Sequence, residues 1–315
     1  MTDRLVEDPD GVNALAARVA EATGIPASHV EKDFWVTEVL RGVAQQAAGE
    51  SVTAIFKGGT SLSKVYKLIR RFSEDVDMLV VLPARGIDAR NSILKRLVGG
   101  ASAATSLEAV TVDEACRKGE KRGARFYYRG QPAGEGLSDG VFLELGSTGG
   151  AMPTDIAGLR SLLAEHVGEQ ISGFPEAEPV EVRVLRPART LIEKLVLLHT
   201  AHSADSEDTA RRAARHYYDV HQLLAAPDVL ADVAASGVDM MARDVCTYSI
   251  AAEQAASPRP VDGFTASPAF NNGAHVPVAR AEYEQRVIGQ LLWPGAPHPS
   301  FDDCVAAVHA AARHL

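Results

Sequence analysis

The sequence predicts an α/β (α+β) protein in two lobes. Residues 1–186 are expected to hold leading helices and a small mixed sheet, and residues 187–315 a helical C-terminal lobe. Three observations lead there. Residues 53–82 spell a short apolar run, a double glycine, a helical stretch and a second apolar run, the order strand, turn, helix, strand. Short β-type segments recur as far as Leu185. Beyond Pro187 the hydrophobic spacing becomes almost wholly helical.

The elements follow in chain order. Ser28-His29-Val30-Glu31 has the form of a capping box, a hydroxyl acceptor followed three positions on by an acid. Behind it Val30, Phe34, Val36, Val39, Leu40 and Val43 recur at helical spacing. Thr53 to Phe56 reads as a strand that breaks into Gly58-Gly59, Ser61 to Ile69 as a helix, and Val76 to Leu82 as a buried strand. Ala124–Tyr128 and Val141–Leu145 read as strands around the turn-rich stretch Gly130 to Gly140, and Val180–Leu185 as a last strand. Helices are expected over Thr190–His199, Ala210–Leu224 and within residues 229–255. A Pro/Gly/Asn-rich loop, Ser257 to Pro277, precedes two closing helices near Glu282–Leu292 and Phe301–Ala311.

Composition narrows the classes. Hydrophobic residues make up 46% and charged residues 23% of the 315, which excludes disorder and fibrous architecture. No apolar run approaches the roughly 20 residues that span a bilayer, so no membrane partner is expected. The polar, acidic start MTDRLVEDPDGVN is unlike a signal or transit peptide. Cys116, Cys246 and Cys304 are far apart and form no CxxC, as in a reducing cytoplasm, and are expected to be buried small hydrophobes. The formal net charge is −9, so a nucleic-acid binder must gather its cations on one face. The histidines offer no metal-ligand spacing, His216 and His221 being off a common helical face.

The chemistry concentrates in Phe56-Lys57-Gly58-Gly59-Thr60-Ser61-Leu62-Ser63-Lys64, followed by Ser73-Glu74-Asp75-Val76-Asp77-Met78-Leu79. Paired glycines after a strand let backbone approach a ligand, and the next helix presents free N–H groups that suit a phosphate. Thr60, Ser61 and Ser63 add hydroxyls, with Lys64 about one turn in. Asp75 and Asp77 are two apart on a strand, so both project from one face, where they can hold a hard divalent cation. Carboxylates at the mouth of so apolar a strand are costly unless paired or metal-bound.

These residues resemble the AbiEii/AbiGii toxin family of nucleotidyltransferases, which includes the mycobacterial MenT toxins, within the DNA-polymerase-β-like nucleotidyltransferase superfamily. Three further segments are similar to family motifs: Val30 to Leu40, Arg189-Thr190-Leu191-Ile192-Glu193-Lys194-Leu195, and Arg215-His216-Tyr217-Tyr218-Asp219-Val220. The resemblance spans about residues 28–225 in consistent order.

The resemblance implies that Gly58, Gly59, Thr60 or Ser61 hold a nucleoside triphosphate with Lys64 close by, and that Asp75 and Asp77 bind the catalytic metal, Mg²⁺ or Mn²⁺. It implies that Lys194 contacts the triphosphate and that Asp219 is a further essential carboxylate. Glu144, in Phe142-Leu143-Glu144-Leu145, is the candidate third metal ligand, the alternative being an edge or inward-facing glutamate. Lys194 has a plain alternative too, the solvated face of an amphipathic helix with Glu193 paired to Arg189. Glu31, Lys32 and Asp33 read as an interhelical structural network.

Three basic runs lie near these motifs. Arg117, Lys118, Lys121, Arg122, Arg125 and Arg129 surround Phe126, Tyr127 and Tyr128; Lys64, Lys67, Arg70 and Arg71 are expected along the helix after the glycines; Arg211, Arg212 and Arg215 precede Asp219. Cations interleaved with aromatics suit a phosphodiester backbone, so Arg122, Arg125, Arg129, Arg211 and Arg215 are candidate RNA contacts. The implied reaction is nucleotidyl transfer to an acceptor hydroxyl, most simply the 3′ end of tRNA, by a monomer countered by a cognate antitoxin. The alternatives are a protein hydroxyl as acceptor of a nucleotidyl or phosphoryl group, and a small-molecule acceptor, which would not need the basic runs.

Overall fold

The computed structural model describes residues 4–73, 75–130, 137–204, 206–252 and 254–315. Glu74 of the acidic motif and the centre of the expected Gly130–Gly140 turn lie outside the described residues. The chain divides into two compact units. The first comprises Met1–Val65, Phe72–Ser147 and Thr154–Val184, and the second Tyr66–Arg71, Thr148–Pro153 and Leu185–Leu315.

In the first unit α1 (Pro9–Thr23) starts with a proline at its first position, behind Asp8, whose carboxylate accepts from the Gly11 amide at 3.0 Å. The next helix, α2 (Ala27–Gly49), corrects the capping-box reading. It begins directly after Pro26, with no side-chain cap, which leaves Ser28 inside the first turn and Glu31 buried. Proline's fixed φ sets the start, overriding the local hydroxyl signal. Helix α2 is buried on several sides, through Val30, Phe34, Trp35, Val39, Leu40 and Val43. It crosses α4 (Ile87–Thr105) closely, and the crossing needs glycine: a Cβ on Gly42 would sit 2.6 Å from the Ala101 Cα.

The strands are β1 (Thr53–Lys57), β2 (Asp75–Val81), β3 (Ala109–Arg117), β4 (Lys121–Phe126), β5 (Val141–Gly146), β6 (Thr154–Leu159) and β7 (Val180–Leu185). Among the described residues they form one mixed sheet in the order β3-β4-β5-β2-β1-β7-β6. The pairs β1–β2, β3–β4 and β4–β5 are antiparallel, whereas β2–β5 and β1–β7 are parallel. Short helices α3 (Gly58–Lys64) and α5 (Leu162–Val167) complete the unit. Helix α3 starts three residues before the expected position and ends five before Ile69, where the chain leaves for the second unit. Strands β3 and β6, which the sequence reading does not contain, are the two sheet edges. They have few buried residues and lack the alternation that marks a half-buried strand.

Alternation along β5 is regular: Val141, Leu143 and Leu145 are buried, while Phe142, Glu144 and Gly146 are half-buried. Helices α2 and α4 pack against the sheet, α2 on β2 and β5 and α4 on β4, over its apolar side. The opposite face bears the polar residues.

The second unit is helical: α6 (Pro187–Ser203), α7 (Glu207–Ala213), α8 (Arg215–Leu224), α9 (Pro227–Ser236), α10 (Val238–Ala251), α11 (Val276–Glu282) and α12 (Phe301–Ala310). The single helix expected over Ala210–Leu224 is broken at Ala214, and the one expected near Glu282–Leu292 is a π-helical stretch, Tyr283–Leu291, continuing α11. The core is aromatic, with the Tyr217 ring 4.5 Å from Phe301 and 5.9 Å from Phe270. The Tyr217 hydroxyl donates to the Ala269 carbonyl at 2.8 Å. A true capping box occurs at Ser300 and Asp303. The three cysteines are free, two of them buried. Among the described residues no helix is long and apolar enough to cross a membrane.

Candidate active site

The residues singled out by sequence fall into two groups, one in each unit. In the first, parallel pairing of β2 and β5 puts Asp75 opposite Phe142 and Asp77 opposite Glu144. All four are half-buried on the polar face of the sheet. Antiparallel pairing of β1 and β2 then sets Lys57 against Asp77. Gly58, the first residue of α3, has φ +80° and lies on Asp77: a Cβ there would approach the Asp77 Oδ2 to 2.5 Å. Only glycine fits both the left-handed backbone and this contact.

Around this turn the hydroxyls are engaged by the fold. Thr60 Oγ1 donates to the Asp75 carbonyl at 2.6 Å and lies 2.9 Å from the Ser73 hydroxyl, and Ser61 Oγ donates to the Gly58 carbonyl at 2.9 Å. Thr60 and Ser61 are both buried; Thr60 ties α3 to β2 and Ser61 closes the first turn of α3, so the turn offers a ligand backbone instead of hydroxyls. Lys64 is buried as well, its ammonium 2.5 Å from Asp33 Oδ1. Asp33 Oδ2 accepts from the Leu162 amide at 2.6 Å, so Asp33 joins α2, α3 and α5, as a structural network should.

The first basic run does not form one patch. Arg122, opposite Leu145, belongs to the helix-covered face of β4, whereas Lys121 and Arg125 belong to the face of the carboxylates. Strand alternation divides residues that are neighbours in sequence. Arg122 reaches Thr111 Oγ1 at 3.4 Å, while Lys121 pairs with Glu144 at 2.8 Å. Arg117 pairs with Glu120 and Lys118 with Asp88, and Arg129 is exposed. In the second unit Arg212 pairs with Asp208 at 2.7 Å and Arg211 with Glu282 at 3.8 Å, and Arg215 is exposed.

The second group is a buried ion cluster. Asp219 on α8 is fully buried and is held bidentately by Arg71, with Nε to Oδ1 at 2.6 Å and Nη2 to Oδ2 at 2.7 Å. Lys194 on α6 donates to the same Oδ2 at 2.7 Å and lies 3.2 Å from His216 Nδ1. Burial opposes ionisation of Asp219, but Arg71 and Lys194 outweigh it and hold its carboxyl well below the usual carboxylate range. Burial, then Lys194, lowers His216 to about 3, so its imidazole is neutral. Lys194 is only 4% exposed, which excludes the solvated-face reading; burial lowers its ammonium below the ordinary lysine range, against the pull of Asp219. Glu193 does pair with Arg189, at 3.5 Å. Arg71 is neither on α3 nor part of a basic stripe; its role depends on a partner 148 positions away, for which the sequence carries no local signal.

For a metal, the donor set fits a hard cation: Asp75 and Asp77 share a face with Glu144 in register beside them. Among the described residues no three His, Cys, Asp or Glu side chains are grouped closely enough to hold a metal as they stand. Glu144 is held by Lys121.

A mixed sheet with two same-face carboxylates, the second packed under a glycine turn, fits the nucleotidyltransferase site that the resemblance implies. The family model of the nucleotidyl transferase AbiEii toxin of type IV toxin–antitoxin systems matches residues 39–307, and the chain belongs to that family. Among solved structures it is similar to MenT4, a nucleotidyltransferase toxin of Mycobacterium tuberculosis H37Rv, at 16% identity over 96% of this chain and 95% of that one, with a TM-score of 0.47. No curated protein sequence matches.

Proposed function

We propose that this toxin transfers a nucleotide from a nucleoside triphosphate to an acceptor hydroxyl, the 3′ end of tRNA, and so blocks aminoacylation and translation. The observation that carries the reading is the placement of Asp75 and Asp77 on the polar sheet face with Gly58 packed on Asp77. Asp75 and Asp77 would hold Mg²⁺ or Mn²⁺, which when bound polarises phosphoryl oxygens and makes the attacking hydroxyl more acidic. Glu144 can join as a third ligand if Lys121 releases it. Gly58 and Gly59 keep side chains away from the phosphates. Lys194 and Asp219 would support turnover as one buried ion cluster, in which the carboxylate favours the lysine's charged form against burial. Arg125 and Arg129, with Arg211 and Arg215, would meet the phosphodiester backbone. The protein would act in the cytoplasm as a monomer, restrained by its cognate antitoxin.

The test incubates the purified protein with total RNA and each labelled nucleoside triphosphate in Mg²⁺, then resolves the products by size. Label should enter RNA of tRNA length, and Asp75→Ala or Asp77→Ala should abolish it. Label that survives nuclease and is lost to protease would move the acceptor to a protein.

A further inference from the structure

One aromatic ring interrupts the charged face of the first unit. Across three neighbouring strands the register aligns Arg125 on β4, Phe142 on β5 and Asp75 on β2 in a single row. Adjacent strands are about 4.8 Å apart, so Phe142 stands one strand from the first carboxylate. Its ring lies across Gly123, where a Cβ would come within 3.2 Å of Cε2, besides meeting the Ala115 side chain. The Arg125 guanidinium lies 5.2 Å from the ring centroid. Its Nη1 donates to the Asp139 carbonyl at 2.8 Å, which fixes the planar group beside the ring. Phe142 is half-buried, at a position where the alternation of β5 calls for a polar residue.

We propose that Phe142 and Arg125 form a stacking platform for a nucleobase beside the metal-binding carboxylates. The inference rests on the nucleotidyl-transfer reading and adds the residues that receive the base. Aromatic and guanidinium planes both stack on bases, tolerantly of sequence, and a row ending at Asp75 lets one nucleoside touch the platform with its base and the carboxylate side with its phosphate. The base can come from the incoming nucleoside triphosphate or from the last nucleotide of the acceptor strand.

The two sources separate by direct binding measurements on the full chain in Ca²⁺. One arm compares the four nucleoside triphosphates with ribose 5′-triphosphate, which lacks a base. The other compares a short single-stranded oligoribonucleotide with its counterpart bearing an abasic 3′ nucleotide. Wild type should prefer the base-bearing member of one pair, and Phe142→Leu should weaken that member about tenfold while leaving the baseless one unchanged. Phe142→Tyr should restore it, a selectivity that a merely structural role of the ring would not produce. Phe142→Met should give the same base-selective loss should Phe142→Leu fold poorly. Equal binding of base-bearing and baseless ligands by wild type in both pairs overturns the platform alone. No binding of any nucleoside triphosphate by wild type overturns the transfer reading and the platform together.

Discussion

Asp75 and Asp77 in the first unit and Asp219 in the second are carboxylates under opposite physical regimes. The first two sit half-buried on a polar sheet face, where water and ligands can exchange. Asp219 is fully buried and saturated by Arg71 and Lys194. A carboxylate of the first kind can lose its ligand without loss of fold, whereas one of the second kind strands two buried cations if removed. The same residue type is therefore half-open to solvent in one unit and locked by buried cations in the other.

The comparison breaks most visibly under substitution of the acids. Asp77→Ala should abolish transfer in Mg²⁺ with less than about 1 kcal/mol lost from stability. Asp219→Ala should cost about 3–5 kcal/mol by denaturant titration, because Arg71 and Lys194 lose their shared partner. Similar stability losses at the two positions would erase the distinction.

Lys194→Ala ranks next, since Arg71 still neutralises Asp219 when the lysine is gone. Its cost should be about 1–3 kcal/mol of stability, with turnover reduced more than nucleotide affinity. A double-mutant cycle with Asp219 measures the coupling, and additivity would show that the pair is not one unit.

The pH dependences should run in opposite directions. Burial raises Glu38 in the first unit to about 7, against the pull of Arg41. The folded state then binds this proton more tightly than the unfolded chain. Its stabilising effect is complete below pH 4.5 and is lost as pH rises through about 7, on the order of 3 kcal/mol by linkage. His216 in the second unit is lowered to about 3, so its contribution is present above pH 6.5 and lost as pH falls toward 3. Unfolding midpoints against pH should show Glu38→Gln flattening the first slope and His216→Gln the second. An unchanged profile in either variant would assign the slope to other groups.

The smallest effect sharpens the division within β4. Arg125→Gln should lower the slope of log RNA affinity against log salt by about 0.7–0.9 if it contacts one phosphate, whereas Arg122→Gln should leave it unchanged. Equal changes would place both arginines on one surface, contrary to the strand register.

What the sequence determined by itself is what short-range periodicity encodes. A spacing of two puts Asp75 and Asp77 on one face, alternation sorts Leu143 from Glu144, a double glycine closes strand β1, and helical spacing marks the residues after Pro187. Helix α4 was equally readable from Ile93, Leu94, Leu97, Val98 and Ala101, yet is absent from the expected elements. Edge strands β3 and β6 were not readable, because their few buried positions follow no alternation. The tertiary structure decided the partners: Arg71 with Asp219, Lys64 with Asp33, Glu144 with Lys121, and Phe142 between Arg125 and Asp75. Periodicity tells which way a side chain points, but a buried charge accepts whichever opposite charge the packing brings within about 3 Å, at any distance along the chain.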